Sequence, residues 1–132
     1  MTFARQGATA YRTEFVRAAE YASPHRLVAM LIDGAIERVV QARGAMERGM
    51  TARKGELISK AIAIVDSLGA SLNMEQGGEL SEQLGSLYEY IGRQLLHANL
   101  KNDRAALDEV LGLLKEIKTG WDGIADQAAA AS

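Results

Sequence analysis

From Leu27 onward, apolar residues return every three or four positions, at Leu27, Leu31, Ala35, Val39, Ala42 and Met46. That is the repeat of one helix face. Ser23-Pro24 opens the segment: the hydroxyl caps free N–H groups and proline supplies a helical φ at the first position, while Gly49 marks the end. A second segment, with Thr51 as the expected cap, places Leu57, Ile58, Ala61, Ile62, Ile64, Val65, Leu68 and Leu72 on one side. At ~100° per residue they fill an arc of about 160°, and Glu56, Ser59, Lys60, Asp66 and Ser67 lie opposite. Gly77-Gly78 breaks this helix. A third helix, from about Glu79, turns Leu80, Leu84, Leu87, Ile91, Leu95 and Ala98 inward. Asn102-Asp103 breaks it and caps a fourth, which carries Leu107, Val110, Leu111, Leu114, Ile117 and Trp121 on one face.

Turns this short cannot carry the chain back along a helix of ~35 Å, so neighbours run antiparallel. The expected fold is all-α: an up-and-down four-helix bundle over 23–126, preceded by an arm at 1–22 and followed by a frayed tail at 127–132. The arm holds Phe3, Tyr11, Phe15, Val16 and Tyr21, and Tyr11 and Phe15, four apart, share a face if it is helical. Glycines at positions 34, 44, 55, 69, 85, 92 and 112 fall inside predicted helices, each costing up to about 1 kcal/mol relative to alanine. Close packing at Gly34 and Gly69 offsets some of that cost; a bundle kept soft for a partner is the other reading.

Composition narrows the function. The 132 residues suffice for one real core, with 48% hydrophobic and 24% charged residues, so a largely disordered chain is excluded. Fifteen Lys and Arg against seventeen Asp and Glu leave a net charge of −2, which offers no overall field for nucleic acid or anionic lipid. Zero cysteines exclude disulfides, thiol nucleophiles and thiolate zinc sites, as in many cytosolic proteins. The opening residues lack the apolar core of a secretory signal, and the run from Leu27 to Ile32 is too short to span a bilayer.

Candidate chemistry is sparse. His25 and His97 are the two neutral-pH bases, and neither lies in the Glu-x-x-His pair of bundle di-iron sites. Both read as surface or boundary histidines. His97, followed by Leu100 and Lys101, resembles a histidine phosphotransfer helix but lacks its His-x-Leu-Lys-Gly order. Trp121-Asp122-Gly123 has the form of a helical-hairpin Trp-x-Gly bend, yet it stands near the chain end, so Trp121 is expected in the core. No Walker-type phosphate loop is present. No enzyme activity, cofactor or metal is therefore expected.

Apolar residues off the stripes remain. Ile36 and Val40 are four apart and turned more than roughly 100° from the stripe of their helix, and Tyr90 and Leu96 are displaced similarly on the third. Two readings stay open: they fill gaps at bundle edges or under the arm, or they line a groove for an amphipathic helix or extended peptide. A self-associating bundle that buries them in a homodimer is a further alternative, as is phosphotransfer at His97.

The segment from Ala22 through Ser23-Pro24 to Asp33-Gly34-Ala35, the Ser71-Leu72-Asn73 before Gly77-Gly78-Glu79-Leu80, and the run Leu87-Tyr88-Glu89-Tyr90 to Ala98-Asn99 with Arg93 resemble the flagellin-specific export chaperone family, FliS. Trp121 matches its last-helix tryptophan, and the similarity spans about Tyr11 to Trp121. It implies a cytoplasmic chaperone that binds the disordered C-terminal segment of flagellin, masks a surface used in polymerisation, and delivers the client to the cytoplasmic domain of the flagellar type III export gate. An arm tyrosine, matched by Tyr11, lies over part of the family's groove until the client displaces it. The family often has an aromatic before Asp-Gly, where this chain has Ile32. On this reading Ile36, Val40, Tyr90 and Leu96, with Arg93 and the edge residues Ile58, Ile62 and Tyr88, meet the client.

Overall fold

The computed structural model describes residues 23–72 and 74–131. Four helices follow in order: α1 (Pro24–Glu47), α2 (Thr51–Ala70), α3 (Met74–Lys101) and α4 (Arg104–Ala131). Each packs on its sequence neighbour, and α1 also packs on α4, which closes an antiparallel ring. The arm at 1–22, with Tyr11, lies outside the described residues. Helix continues to Ala131, through most of the segment expected to fray, as alanine's helix propensity allows. No helix among the described residues is long and apolar enough to cross a membrane.

The caps explain the boundaries. Ser23 accepts from the Arg26 N–H at 3.1 Å with Pro24 next to it, as the sequence indicated. α1 ends with Gly49 at φ 69°, where the Gly49 N–H donates to the Met46 carbonyl and the Met50 N–H to that of Ala45, the paired bonds of a Schellman ending. Asn102, at φ 52°, plays the same part after α3, and the Asp103 N–H reaches the Ala98 carbonyl. Asp103 then accepts from the Ala106 N–H and starts α4. Thr51 is not a cap. It is the first residue of α2, and Met50 stands before it without a side-chain cap hydrogen bond.

Ile32, Ala35, Val39 and Ala42 from α1, Leu57, Ile58, Ala61, Val65 and Leu68 from α2, Ile91, Leu95 and Ala98 from α3, and Leu107, Val110 and Leu114 from α4 fill the core. A fully enclosed leucine or isoleucine contributes about 1.5–3 kcal/mol, so these layers dominate stability. In α1 the buried arc is rotated toward Ile32, leaving Leu31 half-buried and bringing Ile36 against the core edge. Leu80, expected inside, is 52% exposed while Ser81 is buried. Gly78, at φ 51° and ψ −125°, interrupts α3 just before it, so the helix starts anew near the end of the bundle.

At that end the indole of Trp121 stacks on the His25 ring, centroids 4.4 Å apart and planes 8° apart, and its Nε1–H donates to the His25 carbonyl at 2.8 Å. Trp121 is half-buried against the core, and His25 stands behind it. At the other end Lys54 is buried, and its ammonium donates to the Asn99 carbonyl at 3.1 Å and to Asn102 Oδ1 at 3.0 Å. A cation among the last carbonyls of α3 also opposes the negative end of that helix dipole.

Candidate partner-binding surface

The seams between helices differ in how they close. Along α1 and α4, Asp33 meets Lys118 at 3.4 Å, Arg43 meets Asp108 at 3.0 Å and Glu47 meets Arg104 at 2.8 Å. Such exposed pairs contribute about 0–1 kcal/mol each, but their order, rising on α1 and falling on α4, fixes register. Asp122 and Asp33 hold the Lys118 ammonium pKa above its ordinary value, Asp122 through a hydrogen bond first of all.

Between α3 and α4, Tyr90 donates its hydroxyl to Glu109 Oε1 at 2.6 Å, and Gln94 donates to the same oxygen at 2.8 Å. These bonds hold the Glu109 carboxyl below its usual range and the Tyr90 hydroxyl above its own. The Arg93 guanidinium lies 6.0 Å from the Tyr90 ring centroid. Farther along, His97 Nε2 lies 3.1 Å from Asp103 Oδ2, with the side chain 48% exposed.

The α2–α3 seam is built differently. Gly55, Ile62 and Gly69 stand seven residues apart on α2, and Gly85, Gly92 and Asn99 stand seven apart on α3, so each set forms one stripe. A Cβ on Gly55 would lie 3.8 Å from Asn99 Oδ1, and one on Gly85 would lie 3.5 Å from Leu72 Cδ1. Those two contacts set the stripes face to face and close the seam at its ends. Between them a Cβ on Gly69 or Gly92 would meet nothing within 4 Å. The register brings Ile62, half-buried, opposite Gly92, and Leu96, 52% exposed, rises one turn further along α3. Bare backbone at Gly69 and Gly92 therefore lies open along this seam, a trough in the sense that no side chain fills it, with Ile62 on the α2 stripe and Leu96 next to the α3 stripe.

Two sequence expectations require correction. Ile58 is fully enclosed and Tyr88 is 5% exposed, so both belong to the core and offer no outer surface. Ile58 shares the inner face of α2 with Ala61 and Val65, and Tyr88 precedes Ile91 and Leu95 on that of α3. Burial pushes the Tyr88 hydroxyl pKa up. Among the others, Ile62 and Leu96 lie on the α2 and α3 sides of this seam, Ile36 packs against the core edge, and Val40, 42% exposed, stands apart on α1. Tyr90 and Arg93 meet beside the α3–α4 seam.

Gly69 does not mediate close packing, since the space over it is empty. The seven-residue glycine spacing was the unused sequence signal for the trough. Exposed Met50, Leu100 and Ile124 were also missed, at 47%, 73% and 42%. Among the described residues no three His, Asp or Glu side chains gather to hold a metal ion. The geometry suits contact with another chain.

Fold and surface together define an antiparallel four-helix bundle with bare glycine backbone along its α2–α3 seam. The FliS family model, a flagellar protein family, matches residues 7–128, and the chain belongs to that family. It is 53% identical over 103 residues to the flagellar secretion chaperone FliSB of Pseudomonas aeruginosa, covering 78% of this chain and 82% of that protein. The flagellar secretion chaperone FliS of Salmonella typhimurium is 49% identical over 108 residues, 81% of this chain and 80% of its own length. That of Escherichia coli is 40% identical over 121 residues, 90% and 89% of the two chains.

Proposed function

We propose that this protein is a cytoplasmic flagellar export chaperone that holds the disordered C-terminal segment of flagellin along the α2–α3 trough, keeps it from polymerising early, and hands it to the export gate. Family membership supports the export role, and the trough between Gly69, Gly92, Ile62 and Leu96 supports the place of contact. A disordered client loses chain entropy on binding, so a holder needs preformed apolar surface. Here the bundle supplies it without a change of fold. Bare backbone at Gly69 and Gly92 lets a client helix or strand approach closely, and its apolar side chains settle beside Ile62 and Leu96. Arg93, exposed on α3 beside Tyr90, offers a guanidinium to a client carboxylate where the client passes toward the α3–α4 side. No bond is made or broken, so release follows from competition at the gate.

The test is calorimetric titration of the full chain with a peptide of the flagellin C-terminal segment. Leu96→Asp is expected to weaken binding at least tenfold with helical content unchanged, since Leu96 is half in solvent. Equal affinity in the variant rejects the trough. Failure of the unaltered chain to bind the peptide rejects the client.

A further inference from the structure

A second concavity lies at the α1–α2 turn, away from the α2–α3 trough. It is an open hollow of about 540 Å³. Leu57 forms its buried floor, Val40 and Met50 expose 42% and 47% of their surface at its rim, and Gly44 leaves it unfilled because a Cβ there would meet nothing within 4 Å.

Charge around the hollow is one-sided. Its carboxylate, Glu47, is taken by Arg104 at 2.8 Å. Arg53 shares an exposed contact with Glu56 at 3.5 Å, and Arg48, exposed at the end of α1, has no carboxylate in ion-pair range among the described residues. The imbalance extends over this end of the bundle: residues 43–60 and 97–108 carry seven Lys and Arg against four Asp and Glu, in a chain whose net charge is −2. Arg43 is held by Asp108 at 3.0 Å, so the cations open to a ligand are the unpaired Arg48 and the exposed, loosely paired Arg53. An apolar floor beside them selects an apolar side chain flanked by carboxylates. A bare polyanion would leave Val40, Met50 and Leu57 unused.

We infer that the hollow docks an acidic amphipathic helix of a second protein, one apolar side chain entering above Gly44 and its neighbouring carboxylates meeting Arg48 and Arg53. This goes beyond the client reading and stands on a separate face, so the chaperone holds both at once.

Fluorescence anisotropy with a labelled peptide tests it: a 14-residue helix with leucine at i, i+3, i+4 and i+7 and glutamate elsewhere, against the same peptide with lysine for glutamate. The glutamate peptide is expected to bind the full chain, and the lysine peptide at least tenfold more weakly. Arg48→Glu should cost tenfold or more. Gly44→Leu should cost as much by filling the hollow with every charge in place, and it should not lower the unfolding temperature, since leucine is the better helix former and the space is empty. Prior saturation with the flagellin tail peptide should leave this binding within twofold, while the client titration fails or succeeds on its own. Equal binding of both peptides, indifference to Gly44→Leu and Arg48→Glu, or displacement of the glutamate peptide by single-stranded DNA would each overturn the proposal.

Discussion

Lys54 is where the fold concentrates the most electrostatic consequence in one side chain. Its residue surface is 5% exposed, and the ammonium donates to the Asn99 carbonyl and to Asn102 Oδ1. Lys54→Met keeps the straight stem, so little cavity opens; the loss is the two charge-assisted hydrogen bonds and the partners left without a donor. Hydrogen bonds to charged groups contribute about 1.5–3 kcal/mol each, and relief of the cost of burying an ammonium offsets several kcal/mol in the opposite direction. The bonds win here because they also satisfy the end of α3, for a net loss of about 2 kcal/mol. In a domain of this size that lowers the unfolding midpoint by roughly 8 °C. Asn102→Gly completes a cycle, because glycine accepts the φ of 52° while removing the amide oxygen. Urea unfolding of both single variants and the double should give a coupling of about 1.5 kcal/mol. A Lys54→Met protein as stable as the parent, or a coupling inside ~0.3 kcal/mol, the usual additivity error, refutes the reasoning.

Other expectations follow from the same geometry. Gly112→Ala, at an exposed α4 position where a Cβ meets nothing within 4 Å, should raise stability by about 1 kcal/mol in urea unfolding; a loss would mean that helix propensity does not govern there. Ile58→Ala should cost roughly 2–5 kcal/mol, whereas Leu96→Ala should change stability by less than about 0.5 kcal/mol; similar costs would deny that one is core and the other surface. Glu109 adds a pH dependence. Its carboxyl pKa is lowered in the folded state by bonds from Tyr90 and Gln94, so it stabilises above the unfolded carboxylate pKa, and that contribution is lost as pH falls through the folded value. Glu109→Gln should therefore show a shallower loss of stability from neutral to strongly acidic pH, and an unchanged slope would contradict the assignment.

Helix number, order and most of the inward faces were legible because three-and-four periodicity and turn residues agree throughout this chain. The α4 stripe from Leu107 to Trp121 lies inward with Trp121 half-buried, and Asn102-Asp103 breaks and caps in the same two residues. What periodicity left open was phase. One side chain's rotation on α1 exchanged the places of Leu31 and Ile32, and the Gly78 interruption put Leu80 in solvent. The surface was harder. Ile58 and Tyr88 lie toward the edges of apolar arcs, and only the distances to neighbouring helices decide whether an edge is covered. Glycines defeat pattern reading more thoroughly, because a missing side chain has no hydropathy: Gly85 meets Leu72 while Gly92, seven residues on, faces empty space. Lys54 was equally hidden, since a lysine in the first turn of an amphipathic helix reads as solvated until the end of α3 is seen beside it.

The trough as the client's seat is tested most directly by site-specific photo-crosslinking of the full chain to flagellin, with a benzophenone amino acid at Gly92 in the trough or at Gly112 on the outer face of α4. The flagellin C-terminal segment is expected to be captured from Gly92 and lost when that segment is deleted, with Gly112 silent. Capture from Gly112 alone, or from neither position while the complex still forms, would contradict the assignment of the α2–α3 seam.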